Sequence, residues 1–209
     1  MQITYSHIKQ VKRLARELKA AHPALKLGQR QDLAAVEVLG VRNYHEAIRR
    51  YDQWLMLHVH VSPDPRGVSK CNFCDFSFAA DLKEDREAHQ KVHEKLSEAS
   101  EAMGYLPANF MQREKMKSAG SNQALSDASL DARIDGVLLV LRGWFDRSLS
   151  SAIYGDYWRK HPSFEIYVSM IQDTLSHLYA DLKPVLKARY GYRADEIRPG
   201  ESNWYPKAH

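Results

Sequence analysis

Two cysteines and two histidines near the middle of the chain carry its clearest chemistry. In the stretch CNFCDFSFAADLKEDREAHQKVH, Cys71, Cys74, His89 and His93 follow the pattern C-x2-C-x14-H-x3-H. Two thiolates on a tight knuckle and two imidazoles one helical turn apart can complete a tetrahedron around Zn²⁺. His89 and His93 stand at i and i+4, so a helix turns both to the same side. The chain has no other cysteine. That rules out a disulfide framework and suits a reducing compartment, so a cytoplasmic location is expected. Four protein ligands leave no coordination position for a substrate. The expected cofactor is therefore a structural zinc ion, and no enzyme activity is expected.

Other chemistries are less well supported. His58 and His60 alternate in LHVHV and would share one face of a strand. With the cysteine knuckle they would make an open metal site, which is the basis of a metal-hydrolase alternative. The deaminase pattern H-x-E with P-C-x-x-C is not met, because His60 takes the glutamate's place and Lys70 precedes Cys71. A redox role for CNFC needs a strand and helix context that the flanking pattern does not supply. Phosphate-binding glycine loops, G-x-S-x-G and H-E-x-x-H are absent from the sequence. Arg142, His161 and His177 lie beside an apolar stripe and are expected to be satisfied edge groups.

The metal ligands need a scaffold. Phe78 follows Cys74 by four residues, where a ββα finger places its core aromatic, and Leu82, Ala88, Val92 and Leu96 are expected to close a small apolar centre. Such a unit has too little core to fold unaided, and bound zinc contributes roughly 10 to 16 kcal/mol in finger peptides. Residues 70 to 96 resemble C2H2-type zinc fingers, in particular the long-spacer fingers near cohesin acetyltransferases, which also carry an acidic run such as KEDREAH before the first histidine. The spacer is 14 residues instead of 12, and Arg86 stands where a conventional finger has its core leucine. The rest of the chain shows no acetyltransferase signature, so the resemblance implies no acetyl transfer. Counting back from His89, the base-reading positions of a conventional finger fall on Leu82, Asp85 and Ala88, none of them suited to bidentate base contact. From Asp81 to Glu94 there are five acidic and three basic side chains, an unfavourable surface for phosphates. The finger is expected to be a structural clip or a protein-binding surface.

Before the finger, apolar residues recur at helical spacing. Ile8, Val11, Leu14, Ala15 and Leu18 mark one helix ended by His22 and Pro23; Asp32 to Leu39 makes a second, ended by Gly40; Asn43 caps a third, Tyr44 to about Leu57. The helix, glycine turn and helix of LAAVEVLGVRNYHEAIRR also outline a helix-turn-helix. Residues 10 to 50, with LARELK followed by DLAAVEVLGVRNYHEA, resemble a small helical unit at the N-termini of assorted bacterial proteins, some of them glyoxalase-related. That resemblance implies no catalytic residue.

Net charge is +4 over 209 residues, and it is unevenly placed. Residues 1 to 60 hold ten Lys or Arg against five Asp or Glu, whereas later segments balance. A basic front end favours a polyanion, although a mildly basic solvated face is an equal reading. The phosphate contacts would be Lys9, Lys12, Arg13, Arg16, Lys19, Arg42, Arg49 and Arg50. The expected function is a non-enzymatic nucleic-acid-associated protein, such as a bacterial or mobile-element regulator or accessory factor. The alternative is an adaptor that holds another protein through the finger and the C-terminal helices.

After the finger, the polar stretch from Lys117 to Ser129 looks like a connector. A long helix is expected from about Asp127 to Ala152, with Ile134, Leu138, Leu141, Phe145 and Leu149 as its stripe. A second is expected from about Ser163 to Tyr190, where Phe164, Val168, Ile171, Leu175, Leu178, Leu182 and Val185 step in heptad alternation. Pro184 implies a kink or an early end. The regular stripe could also be a homodimer seam. The N-terminus lacks the apolar core of a secretion signal, and the run Val137 to Leu141 is far too short to span a bilayer. The fold class is thus mainly α. It comprises a basic three-helix unit (1–61), a ββα zinc finger (68–103), a connector (104–126), a helical hairpin (127–192) and a tail (193–209), in which Trp204 and Tyr205 suggest docking and a disordered end is the other reading.

Overall fold

The computed structural model describes residues 2–64 and 67–207. Among them the chain forms eight α-helices and one three-stranded antiparallel sheet, a mainly α architecture. It divides after Glu98 into two compact units. No helix among the described residues is long and apolar enough to cross a membrane.

The first unit opens with α1 (Tyr5–Ala21), α2 (Leu27–Leu39) and α3 (Tyr44–Met56). Ile8, Val11 and Ala15 of α1 are buried with Ala34, Ala35 and Leu39 of α2 and Ala47, Tyr51, Trp54 and Leu55 of α3. Alanines at four of these positions allow the helices close approach. Gly40 ends α2 at φ 62°, in the left-handed region that favours glycine. The Asn43 side chain accepts the Glu46 N–H at 2.9 Å and starts α3. Helix α2 begins five residues before its expected start at Asp32. There the Lys26 N–H donates to the Gln29 side chain at 2.9 Å, a cap made by a residue inside the helix.

The sheet follows. β1 (Val59–His60) pairs with β2 (Ser69–Cys71), with Val59 opposite Cys71, and β2 pairs with β3 (Ser77–Phe78), with Ser69 opposite Phe78. The expected bounds 1–61 and 68–103 put a domain boundary in the proline and glycine segment between them. That segment lies instead between two paired strands inside one compact unit, and its Pro65 and Arg66 fall outside the described residues. Helix α4 (Lys83–Met103) closes the finger. Tyr51 of α3 donates its hydroxyl to Glu94 of α4 at 3.2 Å, so the finger helix is tied to the three-helix core.

In the second unit the expected connector is largely helical: α5 spans Phe110–Ala124 and is capped by Asn109, which accepts the Gln112 N–H at 3.0 Å. Its partner is α6 (Leu130–Tyr154). A Cβ added at Gly136 would meet Ala124 N at 2.6 Å, one at Gly120 would meet Val140 N at 2.9 Å, and one at Gly143 would meet Arg113 O at 3.1 Å. Sequence positions that rise on one helix fall on the other, so α5 and α6 are antiparallel and meet through glycines. The hairpin is therefore formed by α5 and α6, not by α6 and the segment after it. A helix that packs with glycine, alanine and serine has no apolar stripe to reveal it.

The expected second long helix is broken. It consists of α7 (Phe164–Met170), two 3₁₀ turns (Gln172–Thr174 and His177–Tyr179) and α8 (Lys183–Tyr190). Pro184 lies in the first turn of α8, where its missing N–H costs nothing, so it begins a helix instead of kinking one. Val168, Ile171, Leu175 and Leu182 are buried within this chain, and Leu178 is 53% exposed. The stripe thus serves the unit's own core. The tail lies docked: the Tyr167 hydroxyl donates to Ser202 O at 2.6 Å, and the Trp204 N–H donates to Ser148 Oγ at 2.9 Å. Ala208 and His209 fall outside the described residues.

Candidate metal centre

Cys71 ends β2, Cys74 follows in the knuckle, and His89 and His93 occupy successive turns of α4. The four residues bring one potential ligand atom each to within 4.8 Å of one another. All four are buried, at 0%, 3%, 1% and 0% exposure respectively. Among the described residues no other group of His, Cys, Asp or Glu converges in this way.

The donor set fits a cation. Cys71 Sγ lies 3.5 Å from His93 Nδ1. Zinc with bonds of about 2.3 Å to sulfur and about 2.0 Å to nitrogen sets a tetrahedral S···N edge of about 3.5 Å. The Nε2 atom of His89 is buried without a hydrogen-bond partner. Buried polar atoms are rarely left so, and a shared cation relieves such a cluster. The Cys71 thiol is held well below the usual range, first by its hydrogen bond with Cys74 and then by His89 and His93. Cys74 is pushed up by the same contact and by burial. One sulfur of the pair is thus already favoured as thiolate, the form that binds metal, and a cation would lower both.

The walls of the site come from further away than the finger itself. Phe78 stacks on His89 at 4.3 Å between centroids, and Phe73 stacks on His93 at 4.5 Å. Trp54, from α3, stands edge-on to His93 at 5.1 Å, and His58 lies 5.4 Å from it. Of the expected closing residues, Leu96 is buried, Ala88 and Val92 are partly buried, and Leu82 is 50% exposed in the turn before α4. Trp54 and Phe73 supply much of the aromatic cover, which finger spacing alone does not signal. His58 and His60 do not join the ligand set: His58 precedes β1 and packs on aromatic rings, and His60 is exposed.

Of the three positions where a conventional finger reads bases, Asp85 is engaged within the finger, and its neighbour Arg86 is held as well. Asp85 accepts the Ala79 N–H at 2.8 Å, and Arg86 donates to the carbonyls of Ala80 and Asp81 at 2.7 and 3.0 Å. These contacts hold the turn that enters α4.

The eight basic residues fall into two groups. On α1, Lys9, Lys12, Arg13, Arg16 and Lys19 are all exposed, with Lys9, Arg13 and Arg16 away from the buried stripe and Lys12 and Lys19, four residues after Ile8 and Ala15, along its flank. Lys9 pairs with Glu98 at 3.0 Å and Arg13 with Glu17 at 3.7 Å. Lys12, Arg16 and Lys19 form no ion pair among the described residues. Arg42 and Arg50 both bind Glu46, at 3.1 and 2.7 Å. The Arg42 backbone N–H and guanidinium, with Arg50, hold the Glu46 carboxyl at about 2. These two arginines therefore serve α3, and Arg49 is exposed beside them.

No protein-family model matches the chain, and neither a curated protein nor a solved structure matches it. The Cys71, Cys74, His89 and His93 cluster stands as a site able to hold a metal ion on its geometry alone.

Proposed function

We propose that this protein is a non-enzymatic nucleic-acid-associated protein, folded around one structural zinc ion and meeting phosphates through the outer face of α1. The observation that carries this reading is the line of Lys12, Arg16 and Lys19, exposed, without ion pairs among the described residues, and spaced by four and three. At 1.5 Å rise per residue the line is about 10 Å long, and its three charges share one side of the helix. Lys9 and Arg13 flank it in exposed ion pairs worth little, so phosphate can displace their carboxylates. The metal takes no part in chemistry, because its four ligands are side chains of the protein.

The test is binding of the metal-loaded chain to a short duplex and a single-stranded oligonucleotide across a salt series. Affinity is expected to fall linearly in log salt, with a slope of about 0.9 per duplex phosphate contact. The triple variant Lys12→Glu, Arg16→Glu, Lys19→Glu should abolish most binding and leave the fold intact. Absence of binding at low salt, or unchanged affinity in the triple variant, refutes the reading.

A second reading, a protein adaptor, is favoured by Leu27, Leu33 and Val36, which leave 52%, 44% and 50% of their surface exposed on α2, and by the acidic α4. Partners captured from extract that survive nuclease treatment would support it over the first.

A further inference from the structure

The outward side of α1 carries residue types that attraction to phosphate alone does not call for. Ile8, Val11 and Ala15 are buried on one side of the helix. With 3.6 residues per turn, Gln10 and Arg13 come out on the opposite side, and Lys12, Arg16 and Lys19 follow one flank of it. Gln10 is exposed, and its amide has no hydrogen-bond partner among the described residues. The Arg13 side chain is 75% exposed and meets Glu17 through Nε at 3.7 Å, so its terminal nitrogens Nη1 and Nη2 stay open. Both residues line one open depression of about 600 Å³ on the helix surface. An open amide pairs bidentately with adenine N6 and N7, and an open guanidinium edge with guanine O6 and N7. Two carboxylates face the same surface: Glu17, which steadies Arg13, and Glu98 of α4, which pairs with Lys9 at 3.0 Å. Each is matched by a cation, so the flank of Lys12, Arg16 and Lys19 keeps its positive charge.

Helices α2 and α3 offer the competing arrangement, a helix-turn-helix in which α3 enters the groove and α2 crosses the backbone. The surface of α2 argues against it. Leu27, Leu33 and Val36 are exposed there beside exposed Asp32 and Glu37. Its single arginine, Arg30, is buried with Nη1 donating to the Leu25 carbonyl at 3.1 Å. A helix laid across phosphates needs the opposite character. On α3, Arg42 and Arg50 are already held by Glu46.

The shape of the nucleic acid follows from the helix. An α-helix with its side chains is about 10 to 12 Å across, which matches the B-form major groove at about 12 Å, whereas the A-form groove of RNA is too narrow to admit it. We propose that α1 is a major-groove reading helix for duplex DNA, with Gln10 and Arg13 on base edges and Lys12, Arg16 and Lys19 on the phosphates of one strand. This rests on α1 as the phosphate-binding face and adds sequence selectivity to it.

The experiment selects tight binders to the full metal-loaded chain from a pool of random-sequence duplex DNA. Affinity is then measured, at one salt concentration, for the selected duplex, a shuffled duplex and the selected sequence as double-stranded RNA. The selected duplex should bind at least about tenfold more tightly than the other two. Exchanging its purines for 7-deaza purines, which removes N7 from the major groove alone, should cost most of that preference. The double variant Gln10→Ala, Arg13→Ala should bring the selected and shuffled duplexes to within about threefold of each other, with thermal unfolding confirming the fold. Gln10→Ala alone, at an exposed helix position, should relax the preference at one base pair and keeps the test valid if the double variant fails to fold. Lys12→Ala should weaken both duplexes alike and lower the salt slope by about 0.9, and Arg49→Ala should leave the preference unchanged. Salt-dependent binding with no preferred sequence would overturn this proposal and leave the phosphate-binding reading standing, whereas no binding at low salt would overturn both. A preference that survives the double variant, follows Arg49 or ignores the 7-deaza exchange, or equal binding to the RNA duplex, would also overturn it.

Discussion

Trp54 of α3 stands edge-on to the imidazole of His93 of α4, with ring centroids 5.1 Å apart and planes at 85°. Through this contact a residue of the three-helix core forms a wall of the metal centre, so the finger is not a separate bead on the chain. Trp54 is 9% exposed and belongs to the same buried cluster as Val11 and Tyr51.

Trp54→Ala should destabilise the first unit by about 3 to 5 kcal/mol, the cost of removing a buried tryptophan. It should also weaken metal binding, because His93 loses a wall that orients it. Unfolding by denaturant at fixed zinc, paired with a zinc competition titration, reads both effects. Unchanged metal affinity would show that His93 is held by Phe73 and α4 alone.

Chelation should act locally. The cluster from Ile3 to Leu55 is apolar and contains none of the four ligands, whereas residues 69–98 are organised around the quartet. Hydrogen exchange after metal removal is expected to show lost protection in β2, β3 and the first turns of α4, with α1 and α2 retained. Equal loss across the unit would mean that the helices depend on the metal too.

Two glycine-to-alanine changes, one at the α5 and α6 contact and one on α2, should have opposite signs. At Gly136 the new methyl meets backbone atoms of Ala124 and Gly120 at 2.6 and 2.7 Å, and neither can move aside cheaply. A loss of about 1 to 3 kcal/mol is expected. At Gly28, in the first turn of α2, nothing lies within 4 Å. Gly28→Ala should therefore stabilise by up to about 1 kcal/mol. Thermal unfolding of the two variants checks both signs.

His161 makes the second unit sensitive to acid. Its folded pKa, about 4, lies below the unfolded 6.5, with burial as the main cause. The unfolded chain therefore takes up the proton first, and stability falls as pH drops from 6.5 toward 4, then levels off. After allowance for partial solvent screening, the loss is about 2 kcal/mol. Trp144, Trp158 and Trp204 lie in this unit, so tryptophan emission reports mainly on it. Denaturant midpoints from pH 7 to pH 4 should fall in the native chain, and His161→Phe should remove that part of the slope.

The features legible in the sequence were those encoded locally. The four metal ligands declare themselves by type and spacing, and Gly40 and Asn43 mark the end of α2 and the start of α3. Helix α5 was not legible, because Gly120 and Ala124 pack by their smallness and give no apolar period. The breaks after Met170 were hidden for the opposite reason. Val168, Ile171, Leu175 and Leu182 keep a helical spacing and are buried, yet the backbone between them alternates α and 3₁₀ turns. The packing of Arg142 on Tyr105 and Phe164 was out of reach, since the three come from separate segments and no local pattern links them.

Cobalt titration of the metal-free chain tests the central claim most directly. One equivalent should produce the intense visible bands of a tetrahedral ion together with sulfur-to-metal charge transfer, and Cys74→Ser should shift both. Weak bands of a five- or six-coordinate ion, or a spectrum indifferent to Cys74→Ser, would contradict a metal held by Cys71, Cys74, His89 and His93.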